Sequence, residues 1–95
     1  MPLLKVIRKR EYLLELKNIL SYIALDSPNR ARAFKKQLDL RVDGLVHFPY
    51  KYRQSIHHDN EAVRDLICKG YTIVYRVNEM NNSIEVVDIF KYQDR

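Results

Sequence analysis

The stretch IALDSPNRARAF, residues 23–34, contains the signals that decide the first half of the fold. At its centre, Asp26-Ser27-Pro28 interrupts a helical pattern on both sides. The Ser27 hydroxyl can accept a free backbone amide of a following helix, and Pro28 suits the first helical position because its missing N–H costs nothing there. The stretch therefore predicts two helices with a very short connection, and such helices must lie antiparallel.

Apolar residues on both sides of this junction follow helical spacing. A first helix is predicted over residues 11–25, with an apolar stripe of Tyr12, Leu16, Ile19 and Ile23 that is widened by Leu13 and Leu20. A second helix is predicted over residues 28–46, with a stripe of Ala31, Phe34, Leu38, Val42 and Leu45. Pro49 marks the end of the helical half.

Strand patterns flank the two helices. Residues 3–7 are a short apolar run that predicts a first strand. Residues 62–68, 71–77 and 84–91 predict three consecutive strands, with turns at Lys69-Gly70 and at residues 78–83. The sequence therefore predicts a single α+β domain over residues 1–95: an N-terminal strand, an antiparallel two-helix hairpin and a three-stranded antiparallel sheet.

Alternation within the last two strands predicts which side chains share a face. Tyr71, Ile73, Tyr75 and Val77 fall on one face of their strand. In residues 84–91 the apolar set shifts from Ile84 and Val86 to Val87 and Ile89. Such a shift indicates either a β-bulge or a strand that is covered on both faces.

Composition limits the classes of function. The 95 residues carry a formal net charge of +5, which favours an anionic partner such as nucleic acid, a phosphate-rich assembly or an acidic protein, or serves solubility alone. The single cysteine, Cys68, excludes an internal disulfide and fits a reducing cytosol. The apolar runs are too short to span a membrane. We expect a soluble, cytoplasmic protein with no membrane partner.

Cationic and aromatic side chains could form a binding patch. Arg53, Arg64, Arg76 and Lys91 come from a loop and three different strands, so a sheet could gather them. Tyrosines lie near them in the sequence, and aromatic rings beside cations are a common way to hold single-stranded nucleic acid. The tyrosines concerned are Tyr50, Tyr52, Tyr75 and Tyr92. For Tyr71 and Tyr75 a core position is favoured, because they alternate with apolar residues.

Acid–base chemistry would need a proton acceptor, a cation and a proton donor. His57 or His58 could accept a proton, the four cations could bind phosphate, and Tyr92 could donate, although two solvated loop histidines are the favoured interpretation. Adjacent histidines without a cysteine or carboxylate at ligand spacing complete no metal motif. We expect no metal and no other cofactor.

The order of these elements and a series of short motifs resemble the RelE/ParE superfamily of bacterial toxins. The similarity covers nearly the whole chain, and its specificity lies in the order and spacing of the motifs. They are Glu15-Leu16, Ile19 and Tyr22-Ile23; Pro28, Ala31 and Phe34; Leu45 and Pro49; Arg53; Arg64 and Leu66; Tyr71, Ile73 and Tyr75; and Ile84, Val86 and Ile89.

The resemblance implies a toxin that a cognate antitoxin protein holds inactive. The antitoxin tail would lie across the apolar groove and basic surface of the toxin, with Leu13, Leu20, Tyr71 and Tyr75 as contacts. A homodimer or a hetero-oligomer with the antitoxin would fit this class.

The superfamily contains two functional classes. ParE-like members poison DNA gyrase without known catalysis, and the Arg64-x-Leu66 and Tyr71-x-Ile73-x-Tyr75 patterns favour this branch. Target contacts would then be Arg53, Arg64, Arg76 and Lys91. RelE-like members cut mRNA on the ribosome, and the catalytic set would be those four cations with Tyr92. A binding module without toxicity is a third alternative.

Two departures from the family pattern leave the target open. Tyr52 stands where a glycine is usual before Arg53, and Lys91 stands where a histidine is common.

Overall fold

The computed structural model describes residues 4–55 and 60–91 of the chain. Its elements follow in the order β1 (Lys5–Arg8), α1 (Arg10–Asp26), α2 (Pro28–Asp43), a 3-10 turn (Gly44–Val46), β2 (Val63–Cys68), β3 (Tyr71–Asn78) and β4 (Ser83–Lys91). The predicted α+β order of strand, helical pair and three strands is confirmed. None of the helices in these two ranges is long and apolar enough to cross a membrane.

The junction between α1 and α2 has the predicted capping geometry. The Ser27 hydroxyl accepts a hydrogen bond from the Arg30 amide at 3.2 Å, and Pro28 occupies the first turn of α2. The Ser27 amide in turn donates to the Ile23 carbonyl at 2.9 Å, which closes α1. One residue therefore ends the first helix and starts the second.

The second helix ends three residues before the predicted position. Regular α-helix stops at Asp43, and Gly44–Val46 tightens into a 3-10 turn. A glycine in the last turns weakens α-helical geometry, and 3-10 turns commonly close such ends.

The four described strands form one mixed sheet with the order β1-β4-β3-β2. β1 pairs parallel with β4, while β2, β3 and β4 are antiparallel neighbours. β1 comprises Lys5–Arg8 rather than the predicted residues 3–7. The core lies between the helices and one sheet face, and its largest fully buried side chains are Tyr12, Leu38, Leu45, Leu66, Ile73, Tyr75, Ile84 and Ile89.

A β-bulge in β4 resolves the shifted apolar pattern of that strand. Tyr75 faces Val86, but the preceding Val74 faces Asp88, so Val87 has no opposite residue. The extra residue turns Ile89 back toward the core, where it is fully buried. Of the two alternatives that the sequence allowed, the bulge is confirmed.

The sheet face away from the helices also contains buried residues. Asp65 and Val74 are register partners on this face, and both are nearly inaccessible to solvent. Residues 53–55 run along β2: the Asp65 amide donates to the Arg53 carbonyl at 3.1 Å and the Ser55 amide donates to the Val63 carbonyl at 2.8 Å. This segment covers part of the β2 edge and positions Arg53 at the sheet.

Two fully buried tyrosines are expected to respond oppositely to removal of their hydroxyls. Tyr75 Oη donates to the Pro49 carbonyl at 2.7 Å, whereas Tyr12 Oη has no hydrogen-bond partner among the described residues. Tyr75→Phe should therefore lower the free energy of unfolding by about 1 kcal/mol, and Tyr12→Phe should leave it unchanged or raise it. Urea denaturation of both variants at neutral pH measures the difference. Equal losses in the two variants would contradict it.

Burial of these two tyrosines makes the free energy of unfolding depend on pH. Desolvation raises the pKa of Tyr12 from 10.0 to about 12, and burial also raises the pKa of Tyr75. The phenolate of Tyr12 forms more readily in the unfolded chain than in the folded protein. The stability that comes from burying the neutral Tyr12 side chain is therefore intact below pH 10.0 and is lost as the pH rises toward about 12. Tyr12→Phe should reduce that alkaline loss.

Candidate functional site: an arginine cluster and an interhelical groove

An open cleft lies where β2 begins and β3 ends. It has a volume of about 770 Å³, and Arg64 and Arg76 both line it. Tyr50 contributes an aromatic wall, and the β3–β4 turn contributes Glu79 and Met80. The structure therefore brings two of the four predicted cations together with one of the predicted tyrosines.

Internal contacts engage much of the Arg64 guanidinium. Its Nε donates to the Glu61 carbonyl at 2.8 Å, and its Nη1 donates to the Tyr52 carbonyl at 3.1 Å. Its Cζ also lies 5.0 Å from the centre of the Tyr50 ring, within cation–π range. Arg64 thus ties two segments of the connection between the helices and the sheet to β2.

Tyr50 links that connection to the β3–β4 turn. Its hydroxyl donates to Glu79 Oε2 at 2.7 Å. This hydrogen bond to a carboxylate raises the pKa of Tyr50, because ionisation would break it beside a negative charge. Tyr50 therefore stays neutral near pH 7, and its single hydroxyl proton is engaged by Glu79.

Arg76 and Arg53 are each paired with an acid and each half exposed. Arg76 Nε lies 3.4 Å from Glu85 Oε1, with 46% of its side chain exposed. Arg53 Nη2 lies 3.7 Å from Asp65 Oδ2, with 47% exposed. We call Arg53, Arg64 and Arg76 the arginine cluster. Arg53 and Arg76 are paired with acids, and the outward N–H groups of these two can still donate to an anion.

Lys91 does not join this cluster. It faces Tyr71 at the opposite end of β3 from Arg76. Five residue steps separate those two ends, which corresponds to about 17 Å along an extended strand. The expectation that one patch gathers all four cations is wrong for Lys91, because sharing a sheet does not mean sharing an end of it.

Three other candidate residues, His57, His58 and Tyr92, lie outside the described residues. Within residues 4–55 and 60–91, no three His, Cys, Asp or Glu side chains come together as metal ligands. The acid–base set that includes His57 or His58 and Tyr92 therefore stays a prediction.

A second site is the groove between α1 and α2, of about 510 Å³. It brings together the predicted contacts Leu13 and Leu20, with Leu16, Ala24, Pro28 and Ala31 as further apolar lining. Lys17, Arg32 and Lys35 form a cationic rim. Sequence reasoning missed this rim, although its residues lie one helical turn from the apolar stripe.

The other two predicted antitoxin contacts lie elsewhere. Tyr75 is fully buried in the core with its hydroxyl on Pro49, so the predicted contact at Tyr75 is corrected: a side chain without exposed surface has none to offer a partner. The Tyr71 ring packs 5.2 Å from that of Phe34 and stays partly exposed. Both observations agree with the core interpretation of these tyrosines.

The helical hairpin, the mixed sheet and the open groove agree with the fold that the resemblance to the RelE/ParE superfamily implies. The model of the family described as "ParE toxin of type II toxin-antitoxin system, parDE" matches residues 6–94, and the chain belongs to this family. A search of curated proteins gives no match.

Two of the solved structures that share the fold are toxin–antitoxin systems. The chromosomal ParDE toxin–antitoxin system from P. aeruginosa matches with a TM-score of 0.77 at 17% identity, covering 96% of this chain and 98% of that chain. The toxin–antitoxin complex RelBE2 from Mycobacterium tuberculosis matches with a TM-score of 0.66 at 12% identity, covering 99% and 97%. At these identities the similarity concerns the fold.

Proposed function

We propose that this ParE-family toxin inhibits growth by binding and poisoning DNA gyrase, without catalysing a reaction itself. The observation that carries the proposal is the family match over residues 6–94. The arrangement of the cations supports a binding role. Arg64 is engaged by backbone carbonyls, Arg53 and Arg76 by acids, and Lys91 lies at the far end of the sheet.

The proposed target contact is the half-exposed pair Arg53 and Arg76. Each keeps donors on its outer side while an acid holds its inner side. Arginines held in this way suit bidentate contacts with carboxylates on an acidic protein surface. Arg64 is expected to act mainly by supporting this surface, and Lys91 is expected to contribute little.

The proposal is tested by gyrase supercoiling with purified toxin. Wild-type toxin should inhibit supercoiling, and an Arg53→Ala/Arg76→Ala variant should need about tenfold more protein for half inhibition, since each exposed charge contact is worth less than about 1 kcal/mol. Lys91→Ala is the matched control, because it removes a strand cation at the other end of the sheet.

The same preparation distinguishes the ribosomal alternative. Unaltered supercoiling at high toxin excess would contradict the gyrase proposal. Toeprinting on translating ribosomes would then decide whether cuts occur in mRNA at the A site, as expected of a RelE-like ribonuclease.

The groove between α1 and α2 is the proposed seat of a cognate antitoxin. Its apolar lining and cationic rim fit an amphipathic helix that has an apolar face and acidic flanks. Two of the solved neighbours are toxin–antitoxin systems. We infer a hetero-oligomer of toxin and antitoxin in the cytoplasm, where the buried thiol of Cys68 would stay reduced.

A further inference from the structure

Asp65 has an unusual environment for a carboxylate. Its side chain has no exposed surface, and neither carboxylate oxygen accepts a hydrogen bond from the described residues. Burying an unpaired carboxylate is strongly unfavourable, so such a residue requires a compensating cation. The position at the centre of β2 would be better filled by an apolar side chain if packing were its only role.

The compensating cation is Arg53, the nearest described one. Arg53 Nη2 lies 3.7 Å from Asp65 Oδ2. The backbone adds a second attachment between the same two residues, because the Asp65 amide donates to the Arg53 carbonyl at 3.1 Å. A buried anion on a rigid strand therefore fixes both the backbone and the guanidinium of a residue that belongs to a loop.

This attachment sets where Arg53 lies relative to Arg76. Asp65 faces Val74, and Arg76 is two residues further along β3 on the same face. Asp65 and Arg76 are thus diagonal neighbours, whose Cα atoms lie about 7–8 Å apart. Asp65 thus holds the guanidinium of Arg53 on the face that carries Arg76, and both arginines are about half exposed there.

We infer that Asp65 is a positioning residue: it holds Arg53 on the sheet face that carries Arg76, so that the two guanidinium groups contact one acidic surface of the toxin's target together. The inference rests on the proposed function for the identity of that target, but not for the effect of Asp65 on Arg53. Paired planar guanidinium groups suit carboxylates, and fixing them in advance reduces the ordering cost of binding.

Charge alone predicts the opposite outcome when Asp65 is neutralised. Removing an acid makes this face more positive, which should strengthen or preserve binding to an acidic partner. Loss of positioning should weaken it. Asp65→Asn removes the charge with almost no change in shape. The charge effect therefore predicts stronger or unchanged binding, whereas loss of positioning predicts weaker binding.

The experiment measures half-inhibitory toxin concentrations in gyrase supercoiling for Asp65→Asn, Arg53→Ala and the double variant. Asp65→Asn should raise the concentration about three- to tenfold, and the double variant should equal Arg53→Ala, because Asp65 acts only through Arg53. Asp88→Asn is the control: it removes an acid on the other side of Val74, and Oδ1 of that acid accepts a hydrogen bond from the Ile89 amide. Unchanged or improved inhibition by Asp65→Asn, or additive losses in the double variant, would overturn the inference.

Two further measurements keep the inference independent of folding and of the target. Arg53→Lys leaves β2 unchanged and keeps the charge but loses the planar fork, so it should weaken inhibition as Asp65→Asn does.

In the free toxin, the NMR signal of the Arg53 Nε–H group should shift and exchange faster in Asp65→Asn but not in Asp88→Asn. If wild-type toxin leaves gyrase unaffected while this signal responds, the gyrase proposal fails and the positioning role stands. An unchanged signal refutes the positioning role whatever the target.

Discussion

Replacing Leu20 by glutamate should weaken binding of the antitoxin by at least about a hundredfold, because a charge would have to be buried against an apolar helix face. Leu20 lies in the groove between α1 and α2, together with Leu13 and Leu16. Leu20 is partly buried against the core as well as lining the groove, so circular dichroism of the free variant must first show that it is folded. Isothermal titration calorimetry with the cognate antitoxin measures the loss.

Leu14→Glu is the matched control for this substitution. Leu14 is on the same helix and is 51% exposed, but it does not line the groove. It should keep antitoxin affinity within about threefold, as expected for a substitution outside the interface. Equal losses for Leu14→Glu and Leu20→Glu would show that the antitoxin binds elsewhere on the hairpin.

The hairpin was predictable because its signals are local. Ser27 and Pro28 act on their immediate neighbours, and the two apolar stripes depend only on helical spacing. The cationic rim of the groove was not predictable in the same way. Lys17 comes from α1 and Arg32 from α2, and only the packing of one helix on the other places them on one groove.

The sheet shows a similar division between local and long-range information. Alternation predicted the faces of β3, and the shifted pattern of β4 indicated a bulge as one of two alternatives. The parallel pairing of β1 with β4 joins residues far apart in sequence, and no local pattern specifies it. The four candidate cations were identified by type, but strand membership does not reveal which end of the sheet a residue occupies.

The acids of the cluster were missed for the same reason. Glu85 is the register partner of Arg76, and that pairing is set by the β3–β4 turn rather than by spacing within one strand. Glu79 meets Tyr50 across 29 sequence positions. The sequence could therefore predict a basic surface, but it could not predict that each described arginine of the cluster has an internal partner.

Arg64→Ala should be the most destabilising substitution in the arginine cluster. It would leave the Glu61 and Tyr52 carbonyls without their charged donor and remove the contact with the Tyr50 ring. Hydrogen bonds to charged groups contribute about 1.5–3 kcal/mol each, and because the bond to Glu61 is exposed to solvent and counts for less, a total loss of about 2–4 kcal/mol is expected. That is a large part of the stability of a small domain. Urea denaturation measures it.

Two variants separate this supporting role of Arg64 from a direct contact with the target. Arg64→Lys keeps the charge but cannot donate in two directions from a planar group, so it should recover less than half of the loss. Arg76→Ala removes an exposed ion pair and should cost no more than about 1 kcal/mol. If Arg64→Ala instead unfolds at the wild-type urea concentration and still loses all inhibition, Arg64 contacts the target itself. If its inhibition recovers at low temperature, where the folded fraction is restored, its role is to hold the surface that carries Arg53 and Arg76.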